Sequence, residues 1–232
     1  MATYVLVHGS YQGGWIWQRV ADRLHAAGHQ VYAPSLDGCA ERKATVRPGI
    51  TTETQADEVA QLLFYEDLKD VVLAGTSSGG MVVCRVAELM RERVARLALV
   101  DALALFNGEK IGDIVTRSTA APVEDGLTRG PTPEDAATRL FADLDPAMRA
   151  WALERYTAHP IGIYEHGVKL GSFWSQQWPG SSVIWCRRAQ NPGEAHQRRA
   201  AERLNAKFAE LDTGHYPMLS MPDELTRLLL AG

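Results

Sequence analysis

Residues 75–79 read Gly75-Thr76-Ser77-Ser78-Gly79, preceded by the apolar run Val71-Val72-Leu73-Ala74 and followed by Gly80-Met81-Val82-Val83-Cys84. This is G-x-S-x-G between a β-rich run and an apolar, helix-compatible stretch. In a strand–turn–helix the serine sits on a sharp turn that pushes its hydroxyl out at the top of a parallel sheet. The flanking glycines follow from sterics, because the strained turn leaves no room for a Cβ on either side. The pattern predicts a strand ending at the serine, a helix starting after it, and Ser77 as a nucleophile. A bare G-x-S-x-G is common by chance, so the reading rests on what the chain places around it.

Working outward, Tyr4–Val7 is a short β-branched run ending at His8-Gly9. A helical pattern follows from about Trp15 to Ala27, with Trp17, Val20 and Leu24 at spacings of three and four, stopped by Gly28. Gln30–Ala33 reads as a strand closed by Pro34, and Thr51-Thr52 open a helix with Val59, Leu62 and Leu63 on one face. After the motif strand come a helix from about Ser78 to Arg91 and the strand Leu97–Val100. Toward the C-terminus, Ser182–Cys186 and Lys207–Leu211 read as strands around a helix near Glu194–Leu204. A last helix starts near Pro222, with Leu225, Leu228 and Leu229 inward. This alternation predicts an α/β fold with a mostly parallel central sheet covered on both faces.

The rhythm breaks between about residues 105 and 180, where Pro122, Pro131, Pro133, Pro146 and Pro160 interrupt short helical pieces and no strand is obvious. Residues 105–180 are expected to form a mainly helical cap inserted between two sheet strands. Residues 1–104 and 181–232 form the core. The cap aromatics Trp151, Trp174 and Trp178, with Tyr11 and Tyr216 from the core, are candidates for an apolar substrate pocket; several could equally pack the cap onto the core.

A chain of 232 residues suits one such domain, and 46% hydrophobic with 22% charged residues is ordinary for a soluble protein. A net charge of −4 gives no reason to expect nucleic acid or an anionic membrane as partner. No apolar run approaches a membrane span. Three cysteines (Cys39, Cys84 and Cys186) make neither an even framework nor a metal spacing, which favours a reducing, cytoplasmic setting. No His/Cys/carboxylate cluster has ligand spacing and no glycine-rich phosphate loop occurs, so neither a metal nor a cofactor is expected. Nothing in the composition fixes the oligomeric state.

A serine hydroxyl needs a base within hydrogen-bond reach and a third group to orient that base. In the order this motif implies, the histidine comes last, after the final strand. Asp212-Thr213-Gly214-His215-Tyr216 occupies that place, so His215 is the expected base. His8 is expected to shape the first loop, and His25, His29, His159, His166 and His196 to be solvated. Oxyanion donors are expected from the backbone N–H of Ser78, the residue after the nucleophile, and of Ser10 in the loop after the first strand. The acid is harder to place. The strand Ser182–Cys186 is followed by Arg187-Arg188-Ala189-Gln190-Asn191, with no carboxylate before Glu194. Asp101, ending the strand after the nucleophile helix, is the first candidate and Glu194 the second; Asp212 is too near His215 on the strand and reads as structural. Arg187 and Arg188 read as a solvated pair.

With these residues in view, the chain resembles the α/β-hydrolase superfamily, and within it the small plant methyl esterases and hydroxynitrile lyases. The similarity runs through Val5-Leu6-Val7-His8-Gly9, Gly13-Gly14-Trp15-Ile16-Trp17, Ala27-Gly28-His29-Gln30-Val31 and Leu73–Met81, and returns at Val183–Cys186 and Gly214-His215. The cap matches poorly. The resemblance implies a Ser–His–Asp esterase with Ser77 and His215 in two of the roles. The family normally places its acid where this chain has Ala189, although some relatives use the position of Asp101. Lyases of this group carry a threonine after the first-loop histidine and a lysine after the catalytic one; here stand Gly9 and Tyr216. Without that lysine a cyanide leaving group lacks its positive partner. The expected function is hydrolysis of a small or medium, hydrophobic or aromatic carboxylic ester through an acyl-enzyme. A lactone or amide hydrolase is the alternative within the class, and a lyase-like or biosynthetic enzyme or a ligand sensor the alternative outside it.

Overall fold

The structure is a computed structural model that describes residues 1–116 and 123–232. Pro122, counted above among the cap prolines, lies outside the described residues. Strands β1 (Thr3–Val7), β2 (Gln30–Tyr32), β3 (Val71–Ser77) and β4 (Val94–Ala102) come from the first part of the chain. Three very short strands follow, β5 (Val123–Glu124), β6 (Thr128–Gly130) and β7 (His159–Pro160), and then β8 (Ser182–Cys186) and β9 (Lys207–Leu211). The six longer-range strands form one sheet in the order β2-β1-β3-β4-β8-β9, every neighbouring pair parallel.

The alternation of side chains along each strand splits the core in two. Val5 and Val7 of β1, Leu73 of β3, and Leu97 and Leu99 of β4 pack on one face. There they meet α2 (Thr52–Tyr65), α3 (Gly79–Leu89) and the Glu194–Leu204 helix. Tyr4, Leu6, Val72, Ala74, Ala98 and Val100 pack on the other face against α1 (Gln18–Ala26) and the Pro222–Leu230 helix. Helix α2 starts where the sequence predicts, because Thr51 and Thr54 each accept the other's backbone N–H and close a capping box.

The segment between β4 and β8 differs from the expectation in two respects. It contains strands: β5, β6 and β7 form a three-stranded antiparallel ribbon. Two- and three-residue strands carry no side-chain period, so no hydrophobic pattern betrays them. The segment is also tied into the core. Phe141, Leu144 and Ala152 join one hydrophobic face, while Ile163, Phe173 and Trp178 join the other. Polar ties reinforce the packing. Glu88 of α3 accepts hydrogen bonds from the Ser172 and Phe173 backbones, and Glu109 pairs with Arg199 at 2.7 Å.

Two histidines read as solvated are buried. His159 packs beside Cys39, and His196 receives the Ala104 N–H on Nε2. Both stand in locally polar sequence, and it is the tertiary fold that covers them.

Candidate active site

Ser77 ends β3 with φ = +52°, in the left-handed region that a serine enters only where the surroundings hold it. A close backbone approach sets the turn. A Cβ at Gly79 would lie 2.4 Å from the His8 carbonyl oxygen, so the first loop is packed directly against the start of α3. On the neighbouring strand Ser77 is in register with Ala102, and its carbonyl accepts the Leu103 N–H at 2.8 Å.

Asp101 precedes Ala102, also with φ above zero (+45°), and is completely buried. Its Oδ1 accepts the Cys186 N–H at 3.2 Å, and its Oδ2 lies 2.5 Å from His215 Nδ1. Burial pushes the Asp101 carboxyl above its ordinary range; the contacts with His215 and the Cys186 N–H pull the other way. His215 follows β9 on a loop held by the Gly214 N–H, which donates to Asp143 at 2.9 Å. The His215 side chain keeps 18% of its surface exposed at the sheet's carboxyl edge. Among the described residues Ser77 Oγ makes no hydrogen bond to His215. The oriented pair is therefore Asp101–His215, with the serine on the adjacent strand end.

The first loop supplies the opposite wall. His8 is buried and neutral in character: Leu36 N–H donates to Nε2 at 2.9 Å, while Nδ1 lies 2.8 Å from the Gly9 carbonyl. That pairing fixes the proton on Nδ1, and burial pushes the His8 pKa down to about 4. Gln12 accepts the Gly9 N–H at 3.2 Å and shapes the turn. The backbone amides of Ser10 and Ser78 donate to no other group among the described residues. Their hydroxyls meet at 2.9 Å.

The other sequence candidates divide. Glu194 stands at the exposed start of its helix and pairs with Arg198 at 2.7 Å; no contact joins it to His215. Trp178 is not a pocket residue: it is 1% exposed, stacks on Phe173 at 5.2 Å and lies under Arg91. Trp174 donates its indole N–H to the Leu105 carbonyl at 3.0 Å and packs on Phe106 and Phe173. Trp151 contacts Trp15 and lines an open recess with Gln18, Arg19 and Asp22 that includes no part of Ser77 or His215. These three tryptophans pack the inserted segment on the core, Trp178 buried and Trp151 and Trp174 half-buried. Tyr11 and Tyr216 adjoin the site. Tyr11 follows Ser10 with φ = +69°, and the buried Tyr216 ring packs against His215 and Phe141. Arg187 and Arg188 share the exposed Asp212, at 3.4 and 3.8 Å.

Two residues at the site escaped the sequence reading. Asp143 holds the His215 loop from the inserted segment. The buried Tyr164 hydroxyl lies beside Ser10 and Tyr11. Neither sits in a motif, and no local signal marks them.

Comparison with known proteins places the chain in a family. The profile of the family described as "Alpha/beta hydrolase family" matches residues 4–228. A carbendazim hydrolyzing esterase of Nocardioides sp. (strain SG-4G) is 36% identical over 100% of this chain and 99% of its own. Methylesterase 3 of Arabidopsis thaliana is 30% identical over 97% and 94%. Among solved structures, an extracellular α/β-hydrolase from a Paenibacillus species superposes with a TM-score of 0.83 at 21% identity, covering 99% of this chain and 98% of that one. At that identity the superposition speaks for the fold.

Proposed function

The chain belongs to the α/β-hydrolase family, and on that footing we propose that it is a serine hydrolase of small-molecule carboxylic esters. The observation that carries the reading is the 2.5 Å contact between His215 Nδ1 and the buried Asp101 carboxylate, next to a serine on a left-handed turn. The esterase names of the full-length relatives support the same class.

In this reading Ser77 Oγ attacks the ester carbonyl while His215 Nε2 takes its proton. Asp101 accepts the Nδ1–H, which holds the tautomer and stabilises the imidazolium as it forms. The carbonyl oxygen becomes an oxyanion and receives the Ser10 and Ser78 backbone N–H groups. Proton return from His215 releases the alcohol and leaves an acyl-serine. A water molecule, deprotonated by the same imidazole, then releases the acid. The inserted segment with its cap-like position bounds the site, and Tyr11 and Tyr216 are the aromatic rings next to it. A lyase reaction lacks support, because the neighbour of His215 is the buried Tyr216 phenol, which offers no cation to a departing cyanide.

The test is hydrolysis of p-nitrophenyl esters, from acetate to long-chain and aryl acyl groups, by wild type and Ser77→Ala. Turnover that vanishes in the variant is the expected result. A folded wild type inactive on every ester, or a Ser77→Ala variant that retains turnover, overturns the proposal.

A further inference from the structure

Ser78 occupies the N-cap position of α3, where a serine hydroxyl ordinarily accepts the N–H of the second or third helical residue. It makes no such cap. Its hydroxyl instead bonds Ser10 Oγ at 2.9 Å, across 68 residues of sequence. Both serines are buried, at 6% and 9% exposure, and the Ser78 hydroxyl makes no other hydrogen bond among the described residues. The Tyr164 hydroxyl lies beside both Ser10 and Tyr11.

These are the two residues whose amides are the oxyanion donors in the reading above. They belong to different parts of the fold: Ser78 begins a helix packed into the core, whereas Ser10 sits in a loop followed by the strained Tyr11. The stabilisation of a developing oxyanion depends on donors held about 2.7–3.1 Å from where the charge appears. A misplacement of about 1 Å costs on the order of 100-fold in rate. The contact of Gly79 with His8 brings the two backbones together, but it lies one residue from Ser78 and two from Ser10 and bonds neither donor residue itself. A side-chain bond between the donor residues themselves ties one to the other.

We infer that the Ser10–Ser78 hydroxyl bridge is a positioning clamp that sets the spacing and direction of the two oxyanion amides. The inference rests on the serine-hydrolase reading. The clamp touches no substrate atom and acts through the two amides. Its loss weakens transition-state binding and leaves ground-state binding unchanged. Because either substitution breaks the same bond, the second one costs nothing more.

The experiment compares Ser10→Ala, Ser78→Ala, the double variant and Ser10→Thr on p-nitrophenyl acetate, with Ser10→Cys and Ser78→Cys as near-isosteric weak donors should an alanine variant not fold. Each single alanine variant is expected to lower kcat about tenfold with KM within about twofold. The double variant should match the singles, and Ser10→Thr should recover most of kcat because it keeps the hydroxyl. Losses that multiply in the double variant, a rise in KM in place of the fall in kcat, or unchanged kcat in both singles overturns the clamp. A fluorophosphonate label on Ser77 separates the two levels of the argument. Wild type that neither turns over esters nor takes the label overturns the hydrolase reading and the clamp together. Labelled, active wild type with multiplying losses overturns the clamp alone.

Discussion

Asp101 and His215 are 114 residues apart in sequence and 2.5 Å apart in space, and the contact is made by a carboxylate with no exposed surface. The carboxylate accepts on both oxygens, from Cys186 on one and the imidazole on the other. A strand-end aspartate in a left-handed conformation is thus locked by its neighbours before any substrate binds.

Asp101→Asn keeps the shape and removes the charge, and its amide presents a donor to a ring nitrogen that must itself donate. The expected loss in kcat is on the order of 1,000- to 10,000-fold. Glu194→Gln, which breaks only an exposed pair with Arg198, is expected to stay within about twofold of wild type. Steady-state kinetics of the two variants check this; a damaging Glu194→Gln with a benign Asp101→Asn reverses the assignment.

Gly9→Ala tests the packing of the first loop on the nucleophile turn. A Cβ there would lie 2.5 Å from Ser77 Cβ and 2.9 Å from the Thr76 carbonyl oxygen. Backbone atoms cannot yield as a side chain can, so the loop and its Ser10 amide must move. A loss of about 100-fold or more in kcat/KM is expected from a displaced donor. Wild-type kinetics in the variant would show that the loop approaches less closely than this.

Trp178→Ala separates packing from substrate binding. The indole is covered by Phe173 and Arg91 and donates to the Phe173 carbonyl at 3.1 Å. Its removal leaves a cavity and should cost about 3–5 kcal/mol of unfolding free energy. Denaturant unfolding measures that loss, and kcat/KM per folded enzyme should change little. A stable variant with altered ester preference would return Trp178 to the pocket.

The sheet was legible because its strands are continuous apolar runs: Val71–Ala74 and Ser182–Cys186 announce themselves, and Gly28 and Pro34 bracket the strand ahead of them. The Glu194–Leu204 helix and the strand after it begin and end where their pattern does. The left-handed turn at Ser77 was legible because one strained position demands a particular pair of small residues. The meeting of Asp101 with His215 was legible from a charge ending an apolar strand, once Ala189 offered no carboxylate after the next one. The inserted segment was not, since its ribbon is built of strands two and three residues long. Its tryptophans look alike in sequence whether they line a cleft or fill a core. Tyr164 reaches Ser10 only through the fold of that segment, and no spacing encodes such a contact.

Three buried histidines give the stability a particular pH dependence. Burial holds His8 and His196 at about 4 and His159 at about 3, all below the ordinary imidazole value. His8 faces Glu41, which draws its pKa back slightly; His159 faces His8. His196 meets the Ala104 N–H and the Arg199 guanidinium, neither of which can accept its proton, with Glu109 and the Ala102 backbone as partial counterweights. Between about pH 6.5 and 4 the unfolded chain therefore binds protons that the native state refuses. Stability is full above about pH 6.5 and falls as pH drops, by about 1.4 kcal/mol per pH unit for each such group. Asp101, pushed upward by burial, takes its proton in the native state first and offsets part of the loss. The carboxyls held low, Asp37, Glu88 and Glu109, add their own loss only below the ordinary carboxylate range. His196→Gln can still accept the Ala104 N–H but no longer titrates. Urea unfolding followed by tryptophan fluorescence from pH 7 to 4.5 should give a shallower fall in this variant, by about 1.4 kcal/mol per pH unit. An unchanged slope would mean that His196 takes up its proton in the native state, and that the Ala104 and Arg199 contacts yield to it.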